Sequence, residues 1–428
     1  MKKSHIIKAA VFAAFFAASG AQAAGFALIE QSASGMGNAY AGGSAAAEDA
    51  STAFFNPAGM TYIDGTQVVG ALHLINPSAE FNNNGSVAGT ARPLGGTGGD
   101  IGDLAFVPNF YAVTDIVPSV KLGLGINAPF GLKTEYENGW LGRFQALKSE
   151  VKAININPAV AFKVNDQLSL GFGVSAMWMQ AELTRAVNFG PFGEGLAKIK
   201  GDDWGFGFNL GAIYQATADT RIGLAYRSKV NQKLEGDVNF TRPAGLPAPF
   251  VAATPNGNVT AGVSLPENFS ISAFSKLDDK WDLMGDVTWT RWSRFKELRV
   301  LRTSGTVLTN TPENWHNTMR YSIGANYHYS DALKLRAGLA YDEEAIDDQF
   351  RTARIPGNDR KWLSLGASYQ LTPAGKVDVG YSHLFISDAS INDNQTVPVA
   401  PSPFANGRVK GAYSGEVDIL SLQYTHNF

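Results

Sequence analysis

Residues 319–342 read MRYSIGANYHYSDALKLRAGLAYD. Two alternating runs flank Ser330 and Asp331. In the first, Met319, Tyr321, Ile323, Ala325, Tyr327 and Tyr329 share one face, and Arg320, Ser322, Asn326 and His328 share the other. In the second, Leu333, Leu335, Ala337, Leu339 and Tyr341 oppose Lys334, Arg336 and Asp342. A period of two predicts strands with one apolar and one polar face, joined here by a tight turn.

Working outward, Trp281, Leu283, Val287 and Trp289 repeat the pattern against Asp282, Asp286, Thr288 and Thr290. The pattern runs unchanged from Thr66 to the C-terminus, which argues against the several domains that 428 residues would otherwise imply. Connectors alternate in length. Tight turns fall at 165–167, 217–219, 278–280, 330–331 and 372–375. Long loops are expected at 82–102, 137–149, 189–202, 241–259, 303–316, 345–359 and 391–411. Short turns at one end and long loops at the other mark an outer-membrane barrel, here an all-β, antiparallel, transmembrane β-barrel of about fourteen strands. A soluble sandwich or propeller would alternate too. Its strands would be near the usual mode of about 5–6 residues, roughly half the length seen here. The ionisable residues on the polar face also suit a lumen better than a core. The last strand alternates through Leu420, Leu422, Tyr424 and His426 to a terminal Phe428.

Composition narrows the class. The chain is 45% hydrophobic and 11% aromatic, so it is not disordered. No stretch approaches the 18 apolar residues of a membrane-spanning helix. A formal charge of −3 gives no electrostatic footprint for nucleic acid. Cysteine is absent, although Lys2, Lys3 and Lys8, the apolar run at 9–18 and Ala21-Gln22-Ala23 predict a secretory signal peptide over 1–23. Scattered histidines offer no metal-ligand spacing. The acids near Asp342 lack the spacing of a calcium loop. Gly95-Gly96-Thr97-Gly98-Gly99 opens no helix after a buried strand, so it is not a phosphate cradle. Neither a cofactor, a metal nor an enzyme activity is expected.

Residues 24–64 stand apart. They are rich in Ala, Gly and Ser and lack steady alternation. Asn56-Pro57 initiates a turn, and Ser51 and Thr52 suit short helix caps. A barrel of fourteen strands is too wide for wall side chains alone to fill. The residues themselves leave two readings open, a plug in the lumen or a disordered tail. A second irregularity is Asn127-Ala128-Pro129-Phe130-Gly131 in the third strand, where Pro129 cannot complete the ladder. It predicts a bulge or a break. Pro158 and Pro266 also fall in strands and are expected to be ordinary bulges near the extracellular ends.

The start AGFALIEQSASGMGNAYAGG, the FNPAGM that follows, and WGFGFNLGAIY (204–214), LPENFSISAF (265–274) and RIPGNDRKWLSLGASY (354–369) resemble the long-chain fatty acid transporter family of Gram-negative outer membranes, in order along nearly the whole mature chain. The resemblance implies a signal peptide at 1–23, an N-terminal hatch at 24–64 inside the lumen and a barrel at 65–428. It assigns Asn56, Pro57 and Ala58 to a hatch motif. It implies a lateral opening at Asn127, Pro129, Phe130 and Gly131. Arg185 matches a basic residue that contacts ligand headgroups, while the family's lysine partner has no counterpart near Thr311. Asp342 matches a lumen acid, expected to pair with Arg336 or to tether the hatch.

The expected cargo is a long-chain fatty acid. Burying roughly 14 methylenes at about 0.8 kcal/mol each is worth on the order of 11 kcal/mol relative to water. Release into the periplasm must return that energy, whereas release sideways into lipid need not. First capture is expected at the apolar 241–259 loop around Phe250, and at Trp140, Leu141 and Phe144, which would otherwise be packing residues beneath the loops. Phe428 is expected to be read by the outer-membrane assembly machinery, and the protein to be a monomer surrounded by outer-membrane lipid. Other hydrophobic cargo such as aromatic hydrocarbons, or a general porin, are the alternatives.

Overall fold

The alternating runs form the wall of one closed antiparallel barrel in the computed structural model, which describes residues 25–428. The predicted signal peptide lies outside the described residues. Twenty strand segments make fourteen wall strands, because six strands are split in two. In chain order they are β1 (Gln67–Asn83), β2 (Ala105–Val117), β3 (Val120–Asn127 and Gly131–Glu135), β4 (Lys148–Lys163), β5 (Leu168–Asn188), β6 (Glu194–Gln215) and β7 (Thr220–Arg227 and Val230–Thr241). The second half holds β8 (Gly257–Leu265 and Asn268–Lys276), β9 (Trp281–Thr290 and Glu297–Arg302), β10 (Val307–Pro312 and Thr318–His328) and β11 (Leu333–Asp342). It ends with β12 (Arg360–Thr372), β13 (Gly375–Ile386 and Ala389–Pro398) and β14 (Ala405–Asn427). Pairing of β1 with β14, from Gln67↔Asn427 to Asn83↔Gly411, closes the ring.

Exposure inverts the order of a soluble protein. Ile323 is 64% exposed and Leu339 52%, while Arg336 on the opposite face is 3% exposed. An apolar exterior around a polar interior is the arrangement lipid requires, and closure leaves no unpaired sheet edge in it.

Three expected loops contain strand. Residues 189–202 are a short turn followed by the start of β6, 303–316 include the first piece of β10, and 391–411 include parts of β13 and β14. In these extensions Ala197, Leu308, Ile391 and Val409 are buried in apolar clusters, so the apolar-out, polar-in pattern of the wall no longer holds. Pro158 makes no bulge: it pairs with Leu124 in an unshifted β3–β4 register, toward the short-turn end. Pro266 marks a complete interruption of β8 rather than a bulge.

Residues 25–64 pack against the inner wall. Short helices at Ala33–Met36 and Thr52–Phe55 and a 3₁₀ helix at Pro57–Tyr62 give the segment its form. Asn56 caps the last of these, accepting from Ala58 N at 3.0 Å, and Pro57 follows with its φ already set. Asn56 also donates to Ser44 O at 2.7 Å and to the wall carbonyls of Ala212 and Leu224 at 3.1 and 3.3 Å. The fit depends on glycine. Wall positions Gly123, Gly171, Gly211, Gly223, Gly324, Gly338, Gly366 and Gly380 each face this segment so closely that an added Cβ would overlap it. They lie on eight different strands, so the contact surrounds the segment.

One buried ion cluster holds it further. Glu48 accepts from Arg336 at 2.6 Å and from Asn326 at 2.8 Å, and Lys334 lies 3.6 Å away. Arg336 also donates to Asp378 at 2.8 Å. Burial pushes the Glu48 carboxyl up, but Lys334, Arg336 and Lys376 together hold it well below the usual carboxylate range. The expected Asp342–Arg336 pair does not form. The two residues share one face of β11 six positions apart, about 20 Å at a strand's rise. Asp342 is instead opposite Arg320 on β10 and Arg360 on β12, and the acids that meet Arg336 are Glu48 and Asp378.

Two outcomes follow. Gly338→Leu collides with the backbone of Asn38 and should lower the thermal unfolding midpoint of the detergent-solubilised barrel, at an overpacking cost of roughly 1–3 kcal/mol. Gly70→Leu, with open space at its Cβ, should leave the midpoint unchanged. Arg336→Ala strands Glu48 and Asp378 in the interior, and removing one partner of such a pair costs roughly 3–5 kcal/mol. Because the folded Glu48 carboxyl is depressed, the tether is fully present above its ordinary value of 4.5 and is lost as pH falls from there through the depressed value. Proteolysis within residues 25–64 should therefore rise at low pH in the wild type and at neutral pH in Arg336→Ala.

Candidate functional site

The site begins where β3 breaks. Its first piece pairs with β2 only up to Phe110↔Ile126, and 128–130 belong to neither piece. Beyond that point β2 has no strand partner on this side. Pro129 has no N–H to offer, so the ladder must end or be taken over by another element. The N-terminal segment takes it over: Leu28 N donates to Pro129 O and Gly131 N to Phe26 O, both at 2.9 Å, with Ala27 opposite Phe130. Asn109 reaches across from β2, accepting from Ala128 N at 3.4 Å and donating to Glu30 O at 2.8 Å.

Phe130 turns inward at the break into an aromatic cluster. Phe26 is at its centre, with ring centroids 5.9 Å from Phe130, 5.0 Å from Trp292, 5.9 Å from Phe295 and 5.8 Å from Trp315. Beside it lies an apolar cavity of about 790 Å³ with its open mouth included. Phe26, Leu132, Met179, Leu234, Val263 and Phe295 contribute to its walls, and Glu313 and Arg354 are its buried ionisable side chains near the loops. Arg354 is fixed by donation to Ser149 Oγ at 3.0 Å. Burial pulls its guanidinium down to about 10, so it stays charged at neutral pH. Burial raises the Glu313 carboxyl to about 8, so that Glu313 is neutral there, accepting from Trp315 Nε1 at 3.0 Å. The cavity therefore ends on net positive charge.

A second, polar chamber of about 650 Å³ adjoins it. Leu183, Ile199, Leu298 and Arg354 line both spaces, and Arg185, Thr311 and Asp393 face the second. Arg185 donates to the carbonyl of Ala400. The structure thus brings Arg185 and Arg354 to one chamber, with Thr311 beside them. Arg354 was not foreseen from sequence, because it lies in a 343–359 loop without periodicity.

Trp140, Leu141 and Phe144 are not at the loop surface. Trp140 stacks on Tyr136 with centroids 3.8 Å apart and donates to Ala146 O at 2.7 Å. Phe144 is buried under the Arg143 guanidinium. All three belong to a closed cluster with Phe81 and Tyr413, and none faces either chamber, so their expected part in capture is replaced by packing. Phe250 lies in a helix, Ala248–Ala253, with its ring 5.6 Å from Phe192, 5.8 Å from Phe404 and 6.3 Å from Phe189. Phe192 in this group is 41% exposed, which leaves an aromatic surface at the long-loop end.

Comparison with known proteins agrees with this architecture. The family model of the outer membrane protein transport proteins (OMPP1/FadL/TodX) matches residues 14–428. The long-chain fatty acid transport protein of Escherichia coli O6:H1 (strain CFT073) is 31% identical over 85% of this chain and 87% of that one. Outer membrane protein P1 of Haemophilus influenzae is 32% identical over 97% of this chain and 98% of its own. The crystal structure of a Pseudomonas aeruginosa FadL homologue superposes with a TM-score of 0.86 at 27% identity, covering 95% of this chain and 100% of that one. The Pseudomonas putida toluene transporter TodX shares the fold, with a TM-score of 0.67 at 16% identity over 89% of this chain and 94% of that one. The chain belongs to the OMPP1/FadL/TodX family and is an outer-membrane transport channel of Gram-negative type, not an enzyme.

Proposed function

We propose that this protein takes up long-chain fatty acids passively, with residues 24–64 acting as a hatch and the β3 break as a lateral exit. The observation that carries the reading is an apolar cavity that ends on a buried, charged arginine. A cargo with one carboxylate and a long tail matches both features: the tail fills the apolar walls, and the headgroup meets Arg354 with Arg185 in the adjoining chamber. The Phe250 aromatic surface serves first capture. The segment that lines the cavity at Phe26 also bonds the β3 break, so a tail that displaces Phe26 removes the bonds that close the wall. A general porin would leave a water path, whereas the close contacts of residues 25–64 with glycines on eight wall strands favour a plugged lumen. The protein works as a monomer in outer-membrane lipid, with Phe428 as its assembly signal.

Mass spectrometry of copurified lipid should recover C14 to C18 fatty acids, and recovery of aromatic hydrocarbons alone would transfer the assignment to those compounds. Hydrogen bonds to charged groups are worth roughly 1.5–3 kcal/mol, so Arg354→Ala should weaken oleate binding roughly tenfold to a hundredfold, and Arg185→Ala in the same direction. Toluene binding, which involves no carboxylate, should change less than threefold in either variant.

The exit is tested with Ala27→Cys/Phe130→Cys, a pair of facing residues in a chain without other cysteines. Oxidation should abolish oleate uptake while leaving binding intact, and reduction should restore uptake. Full uptake by the oxidised form would eliminate the β3 route.

A further inference from the structure

The wall has a second interruption beside the same cavity. Strands β8 and β9 are paired above it, residues 259–261 with 300–302, and below it, residues 268–276 with 282–290. One more bond at the lower end runs from Arg291 N to Glu267 O at 3.0 Å. Between these, no ladder pairing joins residues 262–266 to residues 292–299 among the described residues. Both lips of this seam line the apolar cavity, Ala261 and Val263 from β8, Phe295 and Leu298 from β9. Trp292 on the β9 lip packs on Phe26 at 5.0 Å, as Phe130 on the β3 lip does at 5.9 Å.

The seam is closed by charge rather than by backbone. Glu267, 5% exposed, accepts from Arg291 at 3.2 Å and takes both of its carboxylate oxygens to Arg294. The two arginine side chains are 47% and 29% exposed. The seam lies ten residues above the short turn that starts β9, which at a rise of about 3.3 Å and a tilt of about 40° is roughly 25 Å up, at the upper edge of the apolar band. An arginine pair at that height meets a carboxylate at headgroup level.

We infer that the β8–β9 seam is a second side port, through which a single-tailed carboxylate amphiphile passes between the cavity and the outer leaflet, latched by Glu267 with Arg291 and Arg294. The inference rests on the reading of the apolar cavity as the cargo site. Displacing Phe26 unpacks both lips at once, Phe130 at β3 and Trp292 at β9. The Glu267 latch belongs to the β8–β9 route alone, whereas the ion pair that spans the gap at β3 joins Lys133 to Asp103.

The test uses a long-chain fatty acid with a diazirine at the tail end and wild-type protein in vesicles. Photolabel should appear on peptides covering 262–266 and 292–299 as well as on those covering 127–131. In Glu267→Cys/Arg294→Cys, bridging the thiols with a bismaleimide should lower initial uptake at least twofold relative to the same variant capped with N-ethylmaleimide, with heat-modifiable gel mobility verifying the folded barrel. Quenching of Trp292 and Trp315 fluorescence reports cargo binding separately. Undiminished uptake with the thiols bridged and normal quenching would overturn the port alone. Absence of any quenching would overturn the cavity reading and the port with it.

Discussion

A backbone that passes through lipid must have its hydrogen bonds filled, and the structure is built around the one place in β3 where the wall cannot fill its own. Pro129 brings no N–H, and the strand ends on either side of it. The missing partner is the backbone at Phe26–Leu28, bonded to Pro129 O and Gly131 N. A buried group left without its hydrogen bond costs roughly 1–3 kcal/mol, so parting these two bonds, which unpairs four groups, costs on the order of 4–12 kcal/mol. Each methylene transferred from water contributes about 0.8 kcal/mol, so about five to fifteen of them offset that cost. On the proposed route, a tail long enough to reach Phe26 is therefore also long enough to drive the break open, whereas a one-ring molecule contributes much less.

Such a segment has to be held firmly without being locked. The row of inward glycines provides shape alone: it lets the segment sit against backbone, and it contributes no bond that must later be broken. The Glu48–Arg336–Asp378 cluster behaves differently. A buried ion pair gains little net stability over an apolar contact, yet it is costly to break on one side only. It fixes where the segment sits while adding little to how tightly it sits. The cluster lies at the Glu48 end of the segment and the β3 break at the Phe26 end, so one end can part while the other stays anchored.

Much of this was legible in the sequence, and for a physical reason. Residues 319–342 alternate because lipid imposes an apolar face and the lumen a polar one, so the wall could be read wherever both conditions apply. Where the strands leave the apolar band the rule lapses, and 189–202 looked like a loop although it begins β6. Pro129 was legible because a missing N–H is a local property. Pro158 looked alike, but it leaves the β3–β4 register whole and interrupts only the β4–β5 pairing at 157–158, since its missing N–H serves one neighbour alone. Trp140, Leu141 and Phe144 gave no sign of their partners, and large apolar side chains in a loop read the same whether they cover a cluster or a ligand. Arg354 and Glu48 were missed for a related cause: both lie outside periodic sequence, and their roles come only from what the fold sets opposite them.

Arg354 also gives the proposed path a direction. It lines both spaces, while Phe26 lines only the apolar one, so a bound fatty acid has its carboxylate near the polar chamber and its tail toward the β3 break. Exit is then tail-first. Each methylene that leaves the cavity enters lipid tails that solvate it equally well, so the free energy changes little while the tail slides out. The carboxylate stays on its arginine until the end, and only then must it part from a buried cation for the headgroup level of the bilayer. Head-first exit would reverse that order, drawing a charge through the apolar break before any tail had gained lipid contact, at the cost of taking an ion out of a paired site into hydrocarbon. The position of a single guanidinium at one end of the cavity thus selects the order of events at the other.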